Sequence, residues 1–379
     1  MEGINIMKKI ALFLLAVFTL TAFTSCASDA QEKPTLLDFT DFTPHFNEEY
    51  IVLEKSPDED FVVLNLTDTQ LDNKEWDEGK ITREILEYTI DELIKKTQPD
   101  LITISGDIAW AGHTKAYRMV AECVNSYGIP WAPVWGNHDN EDGIEYVDTI
   151  EELYMQYDNC IYKEGEKELG SGNYVISIEE NGTPITAIFM MDTHDHDIYI
   201  DENGNEYEGY SKLNDEQKNW YELRAKSMKS LGYKDSAIIM HIPIFAYRTA
   251  FVEAFKQDID PNTVTWQDSS NDEYWNEGYE DSYGVRYEYG GFPPVEDGVM
   301  DILEDIGHTK YMVVGHDHIN NFVINYRGVN LVYGLKTGMG CYWDQRLNGG
   351  TVLRITSNGI EELYHEYINV DHIVEAHAE

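Results

Sequence analysis

The chain has 379 residues, with 27 Lys and Arg against 70 Asp and Glu, a formal net charge of −43. A protein that grips nucleic acid neutralises phosphates with Lys and Arg, and no sustained basic stripe occurs here; nucleic-acid binding and a polybasic membrane-surface role are both excluded. Hydrophobic residues at 42% and aromatic residues at 12% supply enough apolar surface for a packed core, which excludes a disordered polyanion.

Met1 to Ser25 reads as a signal peptide. Lys8 and Lys9 form a short positive region, and Ile10 to Phe18 is an apolar run too short to span a bilayer. It closes on Phe23-Thr24-Ser25-Cys26, which resembles a bacterial lipobox with Cys26 as the lipidated residue. Phe23 stands where Leu is usual, so plain cleavage is the alternative, and Met7 is an alternative start. Residues 26–59 follow as a tether and lead-in, 60–366 as the folded domain and 367–379 as an acidic tail. The expectation is an exported protein, periplasmic or on the outer surface, that meets a membrane only through a lipid anchor. Cys123, Cys160 and Cys341 do not complete a disulfide framework and are expected as buried or half-buried thiols.

From residue 60 the pattern alternates between strand, loop and helix. Phe61–Leu66 is an apolar strand that stops at Asp68, and a helix over Lys80–Lys96 carries Leu86, Ile90, Leu93 and Ile94 on one face. Leu101–Ser105 runs into Gly106-Asp107. A second helical stretch leads to Trp131–Trp135, which ends at Gly136-Asn137-His138-Asp139. Ile185–Met191 ends at Asp192 and Ala237–Met240 at His241; after a helix over Glu296–Asp305, Tyr311–Val314 ends at Gly315-His316. Asn321–Tyr326, Val329–Tyr333, Thr351–Ile355 and Glu361–Glu366 read as a β-meander.

Three stretches carry less definite signals. Residues 248–294 are crowded with Tyr, Trp and acids and show little periodicity, as an insertion does. Their aromatic cluster at 274–289 fits a substrate-facing lid or the apolar underside of the insertion. Asp192 to Asp197 reads as a polar solvated loop, with His194 as a candidate substrate contact. His365, His372 and His377 are expected as solvent residues of the tail.

The recurrence of polar stops matters more than any single one. Asp68, Gln70, Asp107, Asn137, His138, His241, His316 and His318 arrive at strand ends, the edge at which open α/β sheets build their sites. Oxygen and imidazole donors suit hard divalent or trivalent metals, and two metals need a carboxylate to bridge them.

The segments Asp68-Thr69-Gln70, Gly106-Asp107, Gly136-Asn137-His138-Asp139, Met240-His241-Ile242-Pro243 and Gly315-His316-Asp317-His318 together resemble the calcineurin-like metallophosphoesterases. Asn140-Glu141 and Tyr333-Gly334-Leu335-Lys336-Thr337-Gly338-Met339-Gly340 are similar to the purple-acid-phosphatase-related, Dcr2-type branch. The resemblance implies an α/β fold, a four-layer α/β/β/α sandwich of two mixed sheets flanked by helices. It implies that Asp68, Gln70, Asp107 and His318 hold one metal, with Asp107 bridging, and that Asn137, His241 and His316 complete the second. It further implies that His138 assists the leaving group and Asp139 orients His138, in the hydrolysis of a small phosphate monoester by a metal-bridged hydroxide. A phosphodiesterase and a catalytically silent binding protein of the same fold are the alternatives.

Two departures from the family pattern stand out. Gln70 occupies a position that is usually His, so a neutral oxygen replaces an imidazole; this favours Mn, Fe or Mg over Zn. Trp110 stands where the purple acid phosphatases carry the coloured tyrosinate, so no purple colour is expected.

Overall fold

The computed structural model describes residues 50–74 and 80–378. The signal segment, Cys26 and the tether up to residue 49 lie outside the described residues. In chain order the strands are β1 Ile51–Glu54, β2 Phe61–Leu66, β3 Leu101–Ser105, β4 Trp131–Val134, β5 Tyr174–Glu180, β6 Thr183–Met190, β7 His196–Ile200, β8 Glu206–Tyr210, β9 Asp235–Ile239, β10 Thr309–Val314, β11 Val323–Tyr326, β12 Val329–Tyr333, β13 Gly349–Thr356 and β14 Gly359–Tyr367. The helices are α1 Ile81–Thr97, α2 Thr114–Asn125, α3 Asn137–Asn140, α4 Ile144–Tyr154, α5 Asp215–Leu231, α6 Ala246–Ala254, α7 Val299–Ile306 and α8 Asp371–Ala378.

Two mixed sheets form the body, one of seven strands in the order β1-β5-β6-β9-β10-β12-β11 and one of five in the order β14-β13-β2-β3-β4. Strands β2, β3 and β4 run parallel, as do β6, β9, β10 and β12, so each set delivers its C-terminal ends to a common edge. The layering follows from the two-residue period of a strand. Along β6, Ile188 and Met190 join the core shared with the five-stranded sheet, whereas Ala187 and Phe189 join the outer core that carries α5, α6 and α7. Strand β9 does the same, with Ala237 and Ile239 facing inward and Ile238 outward. Both faces are covered, which is why these strands read as continuous apolar runs. The expected α/β architecture of stacked mixed sheets flanked by helices is what the chain adopts.

Several expectations need correction. The lead-in already contributes to the fold, because Ile51-Val52-Leu53 pairs parallel with β5 as the edge strand β1. Strand β5 and the hairpin β7–β8 carry no strong sequence signal and were not anticipated. The tail is ordered: α8 packs on α1, with Ile373 buried and His377 2.8 Å from Glu84. His372 lies edge-on to Tyr88, and both histidines remain exposed, as expected. Cys341 is exposed rather than buried, in a left-handed turn with φ of 62°. The stretch 248–294 opens with α6 and then packs along the sheet edge through bridges Tyr283–Val323 and Arg286–Asn320. Trp275 sits against Phe251 and Phe255, so this part of the aromatic cluster is underside rather than lid.

His365 is the clearest departure. It is an inward residue of β14, buried, with Nε2 3.0 Å from the Asn321 carbonyl and Nδ1 3.1 Å from Thr351 Oγ1. The carbonyl only accepts, so Nε2 donates and the ring is built in as a neutral imidazole. Burial pushes its pKa down to about 4. A base whose folded pKa lies below its unfolded value contributes stability above the unfolded value, about 6.5, that is lost as pH falls toward 4. Urea titrations between pH 7 and 4.5 are expected to show His365→Gln losing about 1–3 kcal/mol less stability than the wild type over that range.

Candidate metal centre

The residues singled out at the strand ends converge on one crevice at the C-terminal edge of the two sheets. The loops after β2, β3 and β4 bring Asp68, Gln70, Asp107 and Asn137; those after β9 and β10 bring His241, His316 and His318. The backbone is strained where they meet. Asp68, Gln70, Asp107 and His316 all have positive φ, at 54°, 38°, 49° and 77°. A left-handed conformation costs a non-glycine residue on the order of 1 kcal/mol or more and persists only where the surroundings over-determine it. They do so here: Gln70 N–H donates to the Asp107 carbonyl at 2.9 Å and Asp68 N–H to that of Gly106 at 3.1 Å. The buried Lys336 ammonium donates to the Asp68 carbonyl, and the His316 N–H reaches the Asp68 carboxylate at 3.1 Å. Gly136 is required by contact, since a Cβ there would lie 2.2 Å from Asp107 Oδ1.

Two clusters result, each with its donor atoms within 4.8 Å of one another: Asp107, His241 and His316, and Asp68, Asp107 and His318. All five side chains are buried, and Asp107 belongs to both. Asp107 Oδ1 lies 3.2 Å from His241 Nε2 and accepts from the His138 N–H at 2.9 Å. Asp107 Oδ2 accepts from Gln70 Nε2 at 2.9 Å. Asn137 Oδ1 is 3.2 Å from His241 Nε2, which adds it to the first cluster. The rings are fixed from behind. His241 Nδ1 donates to the Ser105 carbonyl and His318 Nδ1 to that of Tyr342, both at 2.8 Å, which leaves each Nε2 free to face the centre.

The electrostatics suit cation binding. Burial drives the pKa of His316 down to about 3 and of His318 to about 2, so both are neutral and their lone pairs are available. Burial opposes charge on Asp107, yet His241 and His138 beside it hold its carboxyl well below the usual range. Burial, together with the neighbouring Asp107, pushes Asp68 upward against the pull of His241 and Lys336. Gln70 Oε1 is buried without a hydrogen-bond partner, although its amide nitrogen is held. A buried carbonyl oxygen left unmatched in a crevice of carboxylates and imidazoles is what a hard metal ion would satisfy. The donor set fits two such ions.

His138 is placed differently from the buried set. About a quarter of its side chain is exposed, its ring packs on Trp110 with centroids 4.2 Å apart, and Nε2 lies 3.9 Å from Asp107 Oδ2. Its Nδ1 is held at 2.5 Å by Glu141, not by Asp139. Asp139 turns inward, where it accepts from the N–H groups of Gly136, Ile108 and Ala109 and from the Tyr117 hydroxyl at 2.6 Å. The orienting role expected of Asp139 therefore falls to Glu141. His194 does not join the centre; its Nδ1 lies 3.2 Å from Asp192 Oδ2. Glu141, Lys336 and Tyr342 were not assigned roles from sequence, though the first two lie within the quoted motifs. Tyr210, edge-on to His316 with centroids 4.4 Å apart, had no signal at all.

A shared carboxylate between two imidazole-bearing clusters, at the edge of stacked mixed sheets, defines the class of dimetal phosphoesterase folds. The chain belongs to the calcineurin-like phosphoesterase family, which it matches over residues 61–320. It is 26% identical to probable inactive purple acid phosphatase 14 of Arabidopsis thaliana, over 67% of this chain and 63% of that protein. It is 22% identical to phosphatase DCR2 of Saccharomyces cerevisiae, over 71% of this chain and 44% of that protein. The chain thus spans less than two thirds of the length of these relatives. Among solved structures it is similar to a dimetal phosphatase from Danio rerio, with 11% identity, a TM-score of 0.45, and coverage of 81% of this chain and 98% of that one.

The four acceptor contacts of Asp139 make it a structural carboxylate. Asp139→Ala is expected to lower unfolding stability by about 3–5 kcal/mol, because it strands three backbone N–H groups and a buried hydroxyl. Glu141→Ala is expected to leave stability within about 0.5 kcal/mol, and denaturant titration of the two variants checks the contrast.

Proposed function

We propose that the protein hydrolyses a small phosphate monoester with the help of two metal ions held at this centre. The observation that carries the reading is the pair of buried clusters sharing Asp107, with the unmatched Gln70 Oε1 beside them. Asp68, Gln70, Asp107 and His318 would hold one ion and Asn137, His241, His316 and Asp107 the other. When bound, such ions clamp phosphoryl oxygens and lower the pKa of a coordinated water.

The chain's own groups do the rest. His241 and His318 are locked in tautomers that present Nε2. Glu141 keeps the proton on His138 Nδ1, so Nε2 is the atom that exchanges a proton with the departing alkoxide. The Trp110 ring covers one face of His138 and limits its rotation. A monoester is favoured over a diester by the likeness to the Dcr2-type branch. The acidic surface favours a small substrate, since repulsion from solvated carboxylates is screened beyond about 10 Å while two bound ions would give the crevice its own positive charge. Met1–Ser25 directs export in this reading, with Cys26 as the anchor; a Cys26→Ala variant that stays in the membrane fraction would remove the anchor from it.

With Mn²⁺ supplied, p-nitrophenyl phosphate is expected to turn over, and His138→Ala to lower kcat by roughly 10²–10⁴. Glu141→Ala is expected to lower kcat by about tenfold, through loss of ring orientation. Wild-type turnover no higher than that of His138→Ala would end the enzyme reading.

The metal preference is tested separately. Elemental analysis of purified protein is expected to give Mn, Fe or Mg, with Gln70→His gaining Zn relative to the wild type. Stoichiometric, tightly held Zn in the wild type would contradict the preference.

A further inference from the structure

Arg248 and Arg286 stand apart from four of the other arginines in a chain that holds 70 acidic residues. Arg83, Arg327, Arg346 and Arg354 each lie against a carboxylate. Arg248 and Arg286 make no ion pair or side-chain hydrogen bond among the described residues. Both instead approach the ring of Tyr289, with Cζ 5.9 and 5.8 Å from its centroid. Each is braced by a second ring, Arg286 at 4.3 Å over Phe251 and Arg248 at 5.5 Å over Phe245. Two guanidinium groups around one ring repel each other, and burial together with the nearby Arg248 pulls the Arg286 pKa down. With no carboxylate in ion-pair contact, the pair rests on its aromatic supports and the more distant charge of Asp317, and it presents unused, preorganised N–H donors.

The pair also lies beside the metal centre. The chain at Arg286 bridges to Asn320, and Gly291 N–H donates to Asp317 Oδ1 at 2.9 Å. The intervening segment therefore runs along the loop that supplies His316 and His318. Gly291 abuts the site itself, since a Cβ there would sit 2.2 Å from His316 Nε2. Two residues of chain reach at most about 7 Å, so the 69% exposed Tyr289 stands one small-molecule length from His316. Arg248 comes from the first turn of α6, which follows directly on the His241 loop.

We propose that Arg248 and Arg286 form an anion subsite beside the metal centre, and that the substrate is a phosphate ester bearing a second anionic group, either phosphate or carboxylate. The inference rests on the phosphoesterase reading and narrows it to a substrate class. A leaving group without charge gives two unpaired arginines nothing to hold. A second anion would be repelled by the acidic surface and needs a dedicated cationic seat at a fixed distance from the phosphoryl group. Guanidinium forks supply that seat bidentately.

The test compares Arg248→Gln and Arg286→Gln with wild type on three substrates, with Mn²⁺ supplied. These are p-nitrophenyl phosphate, a hexose 1,6-bisphosphate and 3-phosphoglycerate. Each variant is expected to lose at least about tenfold more kcat/KM on one of the two esters that bear a second anionic group than on p-nitrophenyl phosphate, mainly through KM. Which ester loses more identifies the second anion. Equal losses on all three, or none, overturn the subsite. Arg248 is exposed, so its variant carries the test if Arg286→Gln fails to fold. If the wild type hydrolyses no ester, the enzymatic reading falls by itself. Calorimetric binding of pyrophosphate then decides the subsite: weaker binding in Arg248→Gln supports it, and unchanged binding overturns it.

Discussion

A carboxylate taken out of water needs positive charge or donated hydrogen bonds, and Asp107 is where this protein meets that demand. The His138 N–H, the Gln70 amide and the His241 ring converge on its two oxygens. Each of these comes from a different loop, so satisfying one side chain fixes the relative placement of the ends of β2, β3, β4 and β9. Gly136 must lack a side chain for the same reason, because a Cβ there would collide with Asp107. The spacing of the motifs follows from this convergence. Parallel strands deliver their C-terminal ends to one edge, and the buried acid decides which groups must be waiting there.

That logic explains what was legible in the sequence. An apolar run ending in Asp, Asn or His is a strong signal when it recurs, and the candidate ligands come together as their strand ends suggested. What failed was local geometry. Asp139 adjoins His138 in sequence, but both lie on the short helix α3, where neighbours point about 100° apart and the i, i+3 partner shares a face. Glu141 is that partner, and Asp139 is left to point inward. His365 was misread because acidic residues surround it, although Leu363 and His365 keep the two-residue alternation of an inward strand face. Strand β1 has four residues and draws its place from pairing with β5, a long-range fact that no local pattern carries.

Charge is distributed unevenly between surface and centre. The surface is dominated by solvated acids, whereas the crevice holds the neutral imidazoles of His316 and His318, the His241 ring whose pKa, against burial, Asp107 raises to about 9, and the buried Lys336. Burial lowers the pKa of Lys336 to about 8 against the pull of Asp68. Its ammonium is tied to the backbone carbonyl of Asp68 rather than to a carboxylate, so it props the loop and acts on the acid only through its charge. The carboxylates of the centre thus keep their capacity for added cations, and the protein spends its one buried lysine near Asp68 on shape.

The left-handed backbone at Asp68 and Asp107 has a consequence for how such a site changes over generations. Asp and Asn occupy that conformation several-fold more readily than other non-glycine residues. The peptide chain therefore filters substitutions at these two positions before any chemistry does, and the replacement it admits most easily is Asn. That replacement keeps size and turn geometry while removing a negative charge from the cluster. Loss of cation-binding charge and loss of architecture are therefore separable in this scaffold, and a descendant lacking that charge would still fold into the same shape.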